Sequence, residues 1–230
     1  PLLAENYKLS NNDIERITTF NAKNLFNIGK QTDKGEIAYV IRNSLYLNIT
    51  NKCTNKCSFC ARDTYPYVKG HYLKLEKEPS IEELLDAIGD PSGYDEVVFC
   101  GFAEPTERLD ALITIATFLK KRGVRVRLDT NGLGDLINGR PICGELEGLI
   151  DHICISLNSN RKDQYVEICK PRFGEKSYPA LLSFIKNAKK FIPNVLVSVV
   201  SIPEVDVEEC RKIADDLGVS FRVRKHNDTG

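Results

Sequence analysis

Apolar and polar positions alternate in short runs along most of this chain, and stretches of helical spacing separate the runs. Residues 39–42 and 45–49 read as two strands with a turn at Asn43 and Ser44. Further strands are predicted at 97–100, 124–129, 152–158, 195–200 and 219–224. Helices are predicted between them. Ser80 and Glu83 form a capping box for a helix reaching about residue 88. Residues 108–122 read as a helix stopped by Gly123, and 162–169 and 179–191 as two more. Asp206 and Glu209 open a last helix that ends at Gly218. Strands alternating with helices argue for parallel strands and right-handed crossovers. A partly closed (β/α)6 barrel and an open doubly wound sheet both satisfy that alternation.

The polar positions favour the barrel. Strands of parallel sheets are usually apolar on both faces. Here Cys154, Ser156 and Asn158 alternate with Ile153, Ile155 and Leu157. Arg127 and Asp129 alternate with Val126 and Leu128, and Arg222, Arg224 and His226 with Phe221 and Val223. The apolar set can pack on helices. The polar set must face water or a polar ligand, because burying it unpaired is costly. Solvated edge strands are the plainer account, but the pattern recurs in three strands. The expected fold is therefore α/β: a partial (β/α)6 TIM-like barrel with parallel strands.

Residues 1–35 stand apart as a helical segment, with 36–230 as the main domain. Ser10, with Asp13 three residues on, starts a helix. Ile14, Ile17 and Leu25 supply its apolar face, and Gly29 and the polar 30–35 end it.

Composition narrows the function. The 230 residues are 42% hydrophobic, enough for a real core. Lys+Arg and Asp+Glu both number 32, so bulk charge draws the chain neither to nucleic acid nor to a membrane. No stretch has the length of a membrane span, and the N-terminus lacks a signal-peptide pattern, so a cytoplasmic protein is expected. Eight cysteines in that setting suggest thiols or metal ligands in place of disulfides.

Three of those cysteines crowd one loop directly after a strand: Cys53-Thr-Asn-Lys-Cys57-Ser-Phe-Cys60. Three thiolates can ligate three irons of a cubane cluster. The next cysteine is Cys100, so one iron would stay open to a small molecule. Two other classes fit the same loop. Zinc could bind the three cysteines with His71 as fourth ligand, making an interaction module. A hidden fourth ligand would make a plain Fe–S electron carrier. Cys100, Cys143, Cys154, Cys169 and Cys210 form no second motif and read as packing thiols.

A CxxxCxxC loop after the first strand of a βα-repeat chain resembles the radical S-adenosylmethionine (SAM) superfamily. The resemblance implies a [4Fe–4S] cluster on Cys53, Cys57 and Cys60, and Phe59 beside the adenine of SAM. Gly101-Phe102-Ala103-Glu104-Pro105 resembles the family's Gly-Gly-Glu-Pro segment, which binds the methionine amino group through backbone oxygens. Phe102 and Ala103 depart from that pattern around its second glycine. Asp129-Thr130-Asn131-Gly132 resembles a turn after the third strand in several subfamilies, and an ordinary Asn-Gly turn explains it equally. Ser156 and Asn158 match family contacts to the ribose or the methionine carboxylate. Arg222 and Arg224 are candidates to pair with a carboxylate of SAM or substrate, or are surface charges.

The resemblance implies reductive cleavage of SAM to methionine and a 5′-deoxyadenosyl radical, which abstracts hydrogen from a small molecule or a partner protein. It also implies a one-electron reductant such as flavodoxin or ferredoxin. Residues 36–230 resemble, more narrowly, radical SAM proteins associated with TatD-family nucleases. The run from Asn43 to Cys53 and Ile155-Ser-Leu-Asn158 carry that likeness. Residues 1–30 resemble the last helix of a TatD-family hydrolase without its metal ligands, which implies the stump of a fusion with no hydrolase activity of its own; the subgroup likeness implies a possible TatD-family nuclease association.

Overall fold

The computed structural model describes residues 2–26, 28, 34–60, 62 and 65–226. In chain order these form α1 (Leu2–Tyr7), α2 (Asn11–Phe26), β1 (Ala38–Ile41), β2 (Ser44–Asn48), β3 (Tyr67–Val68) and β4 (His71–Tyr72). They continue as α3 (Ile81–Ile88), β5 (Glu96–Cys100), α4 (Leu109–Lys120), β6 (Val126–Thr130), α5 (Gly134–Asn138) and β7 (His152–Ser156). The chain ends with α6 (Lys162–Cys169), α7 (Ser177–Phe191), β8 (Asn194–Ser201), α8 (Val207–Leu217) and β9 (Ser220–Lys225).

The caps read from sequence are present. Ser80 and Glu83 bond each other's backbone reciprocally at the start of α3. Asp206 Oδ1 accepts from the Glu208 and Glu209 N–H groups. Gly218 closes α8 in the left-handed region. The helix expected from residue 108 begins instead as a 3-10 turn, Pro105–Arg108, before α4.

The main sheet has the order β1-β2-β5-β6-β7-β8-β9, parallel throughout except for β1, which pairs antiparallel with β2. The six parallel strands thus follow chain order. That decides between the two architectures. A doubly wound sheet reverses its strand order at a switch point. Right-handed crossovers that never reverse put every helix on one face. The helix-covered face carries Leu45, Leu47, Val97, Phe99, Val126, Leu128, Ile153, Ile155, Val195 and Val197, buried in one cluster with Leu112, Ile115, Leu181 and Phe184 of α4 and α7. The other face carries Tyr46, Asn48, Glu96, Arg127, Asp129, Cys154, Ser156, Ser198, Arg222 and Arg224, and is the inner face of a partial barrel.

The strands expected to be uniformly parallel therefore include one antiparallel member, β1. Residues 67–72 add a short two-stranded hairpin. Two-residue strands carry too little alternation to be read from sequence.

The N-terminal helix is built differently from its expected apolar face. Leu25 is exposed, and the buried residue of α2 is Asp13, 1% accessible. Its carboxylate accepts from Ser10 N–H and Oγ, from Arg16 Nη2 and from the Arg42 N–H. Arg16 Nε donates to Lys69 O, and Phe20 stacks on Tyr67 with ring centroids 4.5 Å apart. Polar ties and the contacts of Phe20 with Tyr65 and Tyr67 hold α2 to the turn after β1 and to the β3–β4 hairpin region. Gly29, expected to end this helix, lies outside the described residues.

Burial alone would raise the Asp13 pKa, but the bonds from Arg16, Ser10 and Arg42 together lower it. An acid with a depressed folded pKa stabilises above its unfolded value, about 3.9, and loses that contribution as pH falls through the folded value. Asp13→Ala is expected to cost about 1–3 kcal/mol at neutral pH. In urea titrations the difference from wild type should shrink as pH drops below about 4.

Candidate functional site

The loops at the C-terminal ends of the strands converge around the three-cysteine loop. Cys53, Cys57 and Cys60 are half-buried thiols. Their loop is pinned from behind by the end of α6. The Lys56 N–H donates to Cys169 O, Ser58 N–H to Ile168 O, and Arg172 N–H to Thr54 O. Thr54 and Asn55 are buried, so the loop is a packed part of the fold.

The segment after β5 is fastened beside it. Gly101 has φ +130°, and a Cβ there would sit 2.7 Å from Asn48 Oδ1 and 2.8 Å from Asn48 Cα. Only glycine fits that approach. Asn48 Oδ1 accepts from the Phe102 N–H, while its Nδ2 donates to Glu36 O and Leu73 O. The Glu104 N–H donates to Lys52 O, joining this segment to the residue before Cys53.

Glu104 is 2% exposed, and its carboxylate is occupied within the protein. Oε1 accepts from the Thr106 N–H and from the hydroxyls of Thr106 and Thr130, and Oε2 accepts from the Asn131 N–H at 2.6 Å. Burial pushes its pKa up while these donors pull against that rise. Expected to help hold a ligand amino group, the side chain ties the β5 loop to the β6 loop; the backbone of 101–104 is what remains to face a ligand.

Asn131 closes the ring. Its Nδ2 donates to Thr54 Oγ1 at 3.1 Å and lies 3.8 Å from Cys53 Sγ. Its Oδ1 caps the turn by accepting from the Leu133 N–H. Gly132, φ +76°, is pressed against Leu181 and Ile155, where no side chain fits. More than an ordinary Asn-Gly turn, this one braces the cysteine loop.

Asn158 sits just past β7 at φ +58°, a strained conformation for a non-glycine residue. It is buried, its Nδ2 lies 3.9 Å from Cys169 Sγ, and its Oδ1 has no partner among the described residues. Cys169 is fully buried, and its backbone O accepts from the N–H of Lys56, next to Cys57. The nearness of the two thiols holds Cys57 below its usual pKa, assisted by Arg62, and pushes Cys169 up. Burial raises Cys53 to about 11. Cys169, expected as a packing thiol, thus backs the cysteine loop. No periodic signal pointed to it; its position ending a helix before Lys170-Pro171 was the one local hint.

The remaining residues divide. Phe59 is half-buried against the core. Asp129 lies on the inner face, 3.1 Å from Arg127 Nε, and Arg127 also donates to Glu96 Oε1 at 2.5 Å and to the Tyr46 hydroxyl. Arg222 Nη2 contacts Cys154 Sγ at 3.4 Å and Arg224 Nη2 contacts Ser156 Oγ at 3.3 Å. Cys154 therefore belongs to the inner face, unlike Cys143 and Cys210, which are in the core as expected. Asp129, Ser156, Arg222 and Arg224 form a polar interior joined to the loop ring through the strands that carry them. Asn48, Tyr46 and Glu96 were missed; their alternation with Leu45, Leu47 and Val97 was the available signal.

The zinc alternative fails on geometry. His71 has Nδ1 2.8 Å from Glu36 Oε2 and Nε2 3.1 Å from Val40 O, in the β3–β4 hairpin. Both ring nitrogens are committed. Among the described residues, no three His, Cys, Asp or Glu side chains converge on a single-ion site. A cubane differs, because each thiolate meets its own iron.

The Radical SAM superfamily model matches residues 47–217. The chain belongs to the radical SAM superfamily. Members of that superfamily use a [4Fe–4S] cluster and SAM. It is 30% identical over 180 residues to a putative glycyl-radical enzyme activating enzyme of Methanocaldococcus jannaschii, covering 71% of this chain and 65% of that protein. It is 26% identical over 196 residues to a 7-carboxy-7-deazaguanine synthase of the same organism, covering 80% and 73%. An uncharacterized protein of that organism is 28% identical over 172 residues, covering 74% of this chain but only 52% of the relative. So the chain spans from about half to about three quarters of the length of these relatives.

Among solved structures, a radical SAM methyltransferase from Sphaerobacter thermophilus superposes with TM-score 0.52 at 14% identity, covering 79% of this chain and 66% of that one. Methylornithine synthase superposes at 0.50 and 15%, covering 80% and 53%. These confirm the partial barrel.

The site suits the family's cofactors. It offers three reduced thiols on one braced loop, a 101–104 backbone held in place by the close packing of Gly101 on Asn48, and the Asn158 Oδ1, unpartnered among the described residues. Glu104→Gln tests the loop ring. Whichever oxygen becomes the amide nitrogen, a fixed N–H, that of Thr106 or Asn131, loses its acceptor. The expected cost is about 1–3 kcal/mol in chemical denaturation. Gly101→Ala is expected to weaken SAM binding at least about tenfold in equilibrium dialysis, because the clash with Asn48 displaces the 101–104 backbone.

Proposed function

We propose that this chain catalyses the reductive cleavage of SAM, with Cys53, Cys57 and Cys60 each ligating one iron of a [4Fe–4S] cluster. The observation that carries the reading is the position of Cys169, a further thiol beside the loop. It lies fully buried behind the loop, and its backbone O accepts from the N–H of Lys56, the residue before Cys57. Thiolates on separate irons of a cubane are held apart by the width of the cluster, so a thiol packed behind Cys57 is not placed to take the fourth iron. That favours an open iron over the four-cysteine electron carrier.

When bound, cluster and SAM supply methionine and a 5′-deoxyadenosyl radical. The chain's own residues position them. The backbone of Gly101, Phe102, Ala103 and Glu104 receives the methionine amino group. Asn158 Oδ1, without a donor among the described residues, accepts from SAM. Asn131 and the Glu104 carboxylate hold the surrounding loops in register. Phe59 lies one residue before Cys60 and is assigned to the adenine edge. Asp129 and Ser156 line the interior beneath.

The hydrogen comes from a small molecule or a partner protein, and the electron from a reductant such as flavodoxin or ferredoxin. We place the chain in the TatD-nuclease-associated subgroup, with residues 1–35 as a segment of TatD-like origin beside the core at 36–230. The motif likeness supports this placement, and a TatD-family nuclease is the partner it suggests. A cytoplasmic location accords with the reduced thiols; no helix among the described residues is long and apolar enough to cross a membrane.

Anaerobic reconstitution is expected to load about four irons and four sulfides per chain. With SAM and dithionite the protein should release 5′-deoxyadenosine, measured by liquid chromatography. Cys57→Ser should abolish release, and Cys169→Ala should keep its iron and still cleave SAM. Zinc without sulfide, or cluster loss in Cys169→Ala alone, would overturn the assignment.

A further inference from the structure

Three arginines occupy the inner face, and they are not equivalent. Arg127 is neutralised by Glu96 and Asp129. Arg222 and Arg224 meet only neutral atoms, Cys154 Sγ and Ser156 Oγ, and neither forms an ion pair among the described residues. Both are exposed, on β9 at the edge of the sheet.

Residues i and i+2 of a strand point the same way, about 7 Å apart. Arg222 and Arg224 hold that relation, and so do the atoms they contact, on Cys154 and Ser156 of β7. Two like charges are thus set side by side with no carboxylate paired to either among the described residues. The chain carries no net charge, so this is a local concentration and not part of a general basic surface. Guanidinium forks favour oxyanions, which they bind in bidentate fashion.

Sheet order separates this pair from the cysteine loop. β9 lies at the opposite side of the parallel sheet from β2, which leads into that loop. Arg222 and Arg224 rest instead against Cys154 and Ser156 of β7, two strands from β9.

We propose that Arg222 and Arg224 bind the phosphate or carboxylate group of a small anionic substrate, anchoring it on the barrel wall remote from the cysteine loop. The inference rests on the radical SAM reading and adds the class of substrate to it. An anchor on β9 leaves the rest of the molecule to extend across the polar interior toward Cys100 and the 101–104 segment.

The test uses the reconstituted protein and two probes, inorganic pyrophosphate and succinate, each titrated calorimetrically with SAM present. SAM affinity is measured in parallel by equilibrium dialysis. One probe is expected to bind wild type, and which one binds tells phosphate from carboxylate. Arg222→Gln/Arg224→Gln should weaken it at least about tenfold, with a much smaller change in SAM affinity. Arg222→Lys/Arg224→Lys, keeping charge but not the fork, should recover part of the loss. The proposal is overturned if neither probe binds, if the glutamine variant binds like wild type, or if it loses SAM affinity in proportion. The last outcome would assign both arginines to the SAM carboxylate. Failure of the radical SAM reading would look different: wild type itself would release no 5′-deoxyadenosine, whatever the anions did.

Discussion

Helices cover one face of this sheet and leave the other to be kept wet, and the rest of the structure follows from that asymmetry. Six parallel strands in chain order give the crossovers one side to occupy. The side chains facing them are accordingly apolar and buried in one cluster. The opposite side chains cannot be apolar without exposing a large hydrophobic surface, nor charged and unpaired without a desolvation penalty. The chain resolves this with Arg127 between Glu96 and Asp129, and with hydroxyls and thiols elsewhere. The result is a polar interior able to receive a ligand.

Above that interior, four loops are joined by contacts between residues far apart in the chain. Asn48 reaches Phe102, Glu104 reaches Asn131, Asn131 reaches Thr54, and the Cys169 carbonyl receives the Lys56 N–H. Each tie carries a buried polar group that would be expensive to leave unmade. The thiol loop and the 101–104 backbone are therefore held in a fixed relation before any ligand arrives. Such preorganisation lets a site orient its ligands without paying for loop ordering at the moment of binding.

Much of this was legible locally. Helix caps at Ser80 and Asp206, the stops at Gly123 and Gly218, and the strand alternation depend on residues within a few positions of one another. The CxxxCxxC loop is equally local. Less legible were groups whose role lies in a distant partner. Glu104 looked like a ligand-facing acid, and the donors that occupy it come largely from residues 130 and 131. His71 looked available for zinc until Glu36 and Val40 were found on its two nitrogens. Asp13 looked like a simple cap, yet it also receives the Arg42 N–H and so docks its helix.

The sequence by itself determined the succession of strands and helices, which face of each strand is apolar, and the three-thiol loop, because periodicity and motif spacing are properties of neighbouring residues. Tertiary structure alone decided for a barrel over a doubly wound sheet, since strand order is a matter of pairing and not of pattern. It alone set Cys169 behind the cysteine loop, closed the ring of loops through Glu104 and Asn131, and gave Arg127 two carboxylates while leaving Arg222 and Arg224 with none among the described residues. Charge and hydrogen-bonding capacity are written in the chain; whether they are spent inside the protein or kept for a ligand depends on what folding brings alongside.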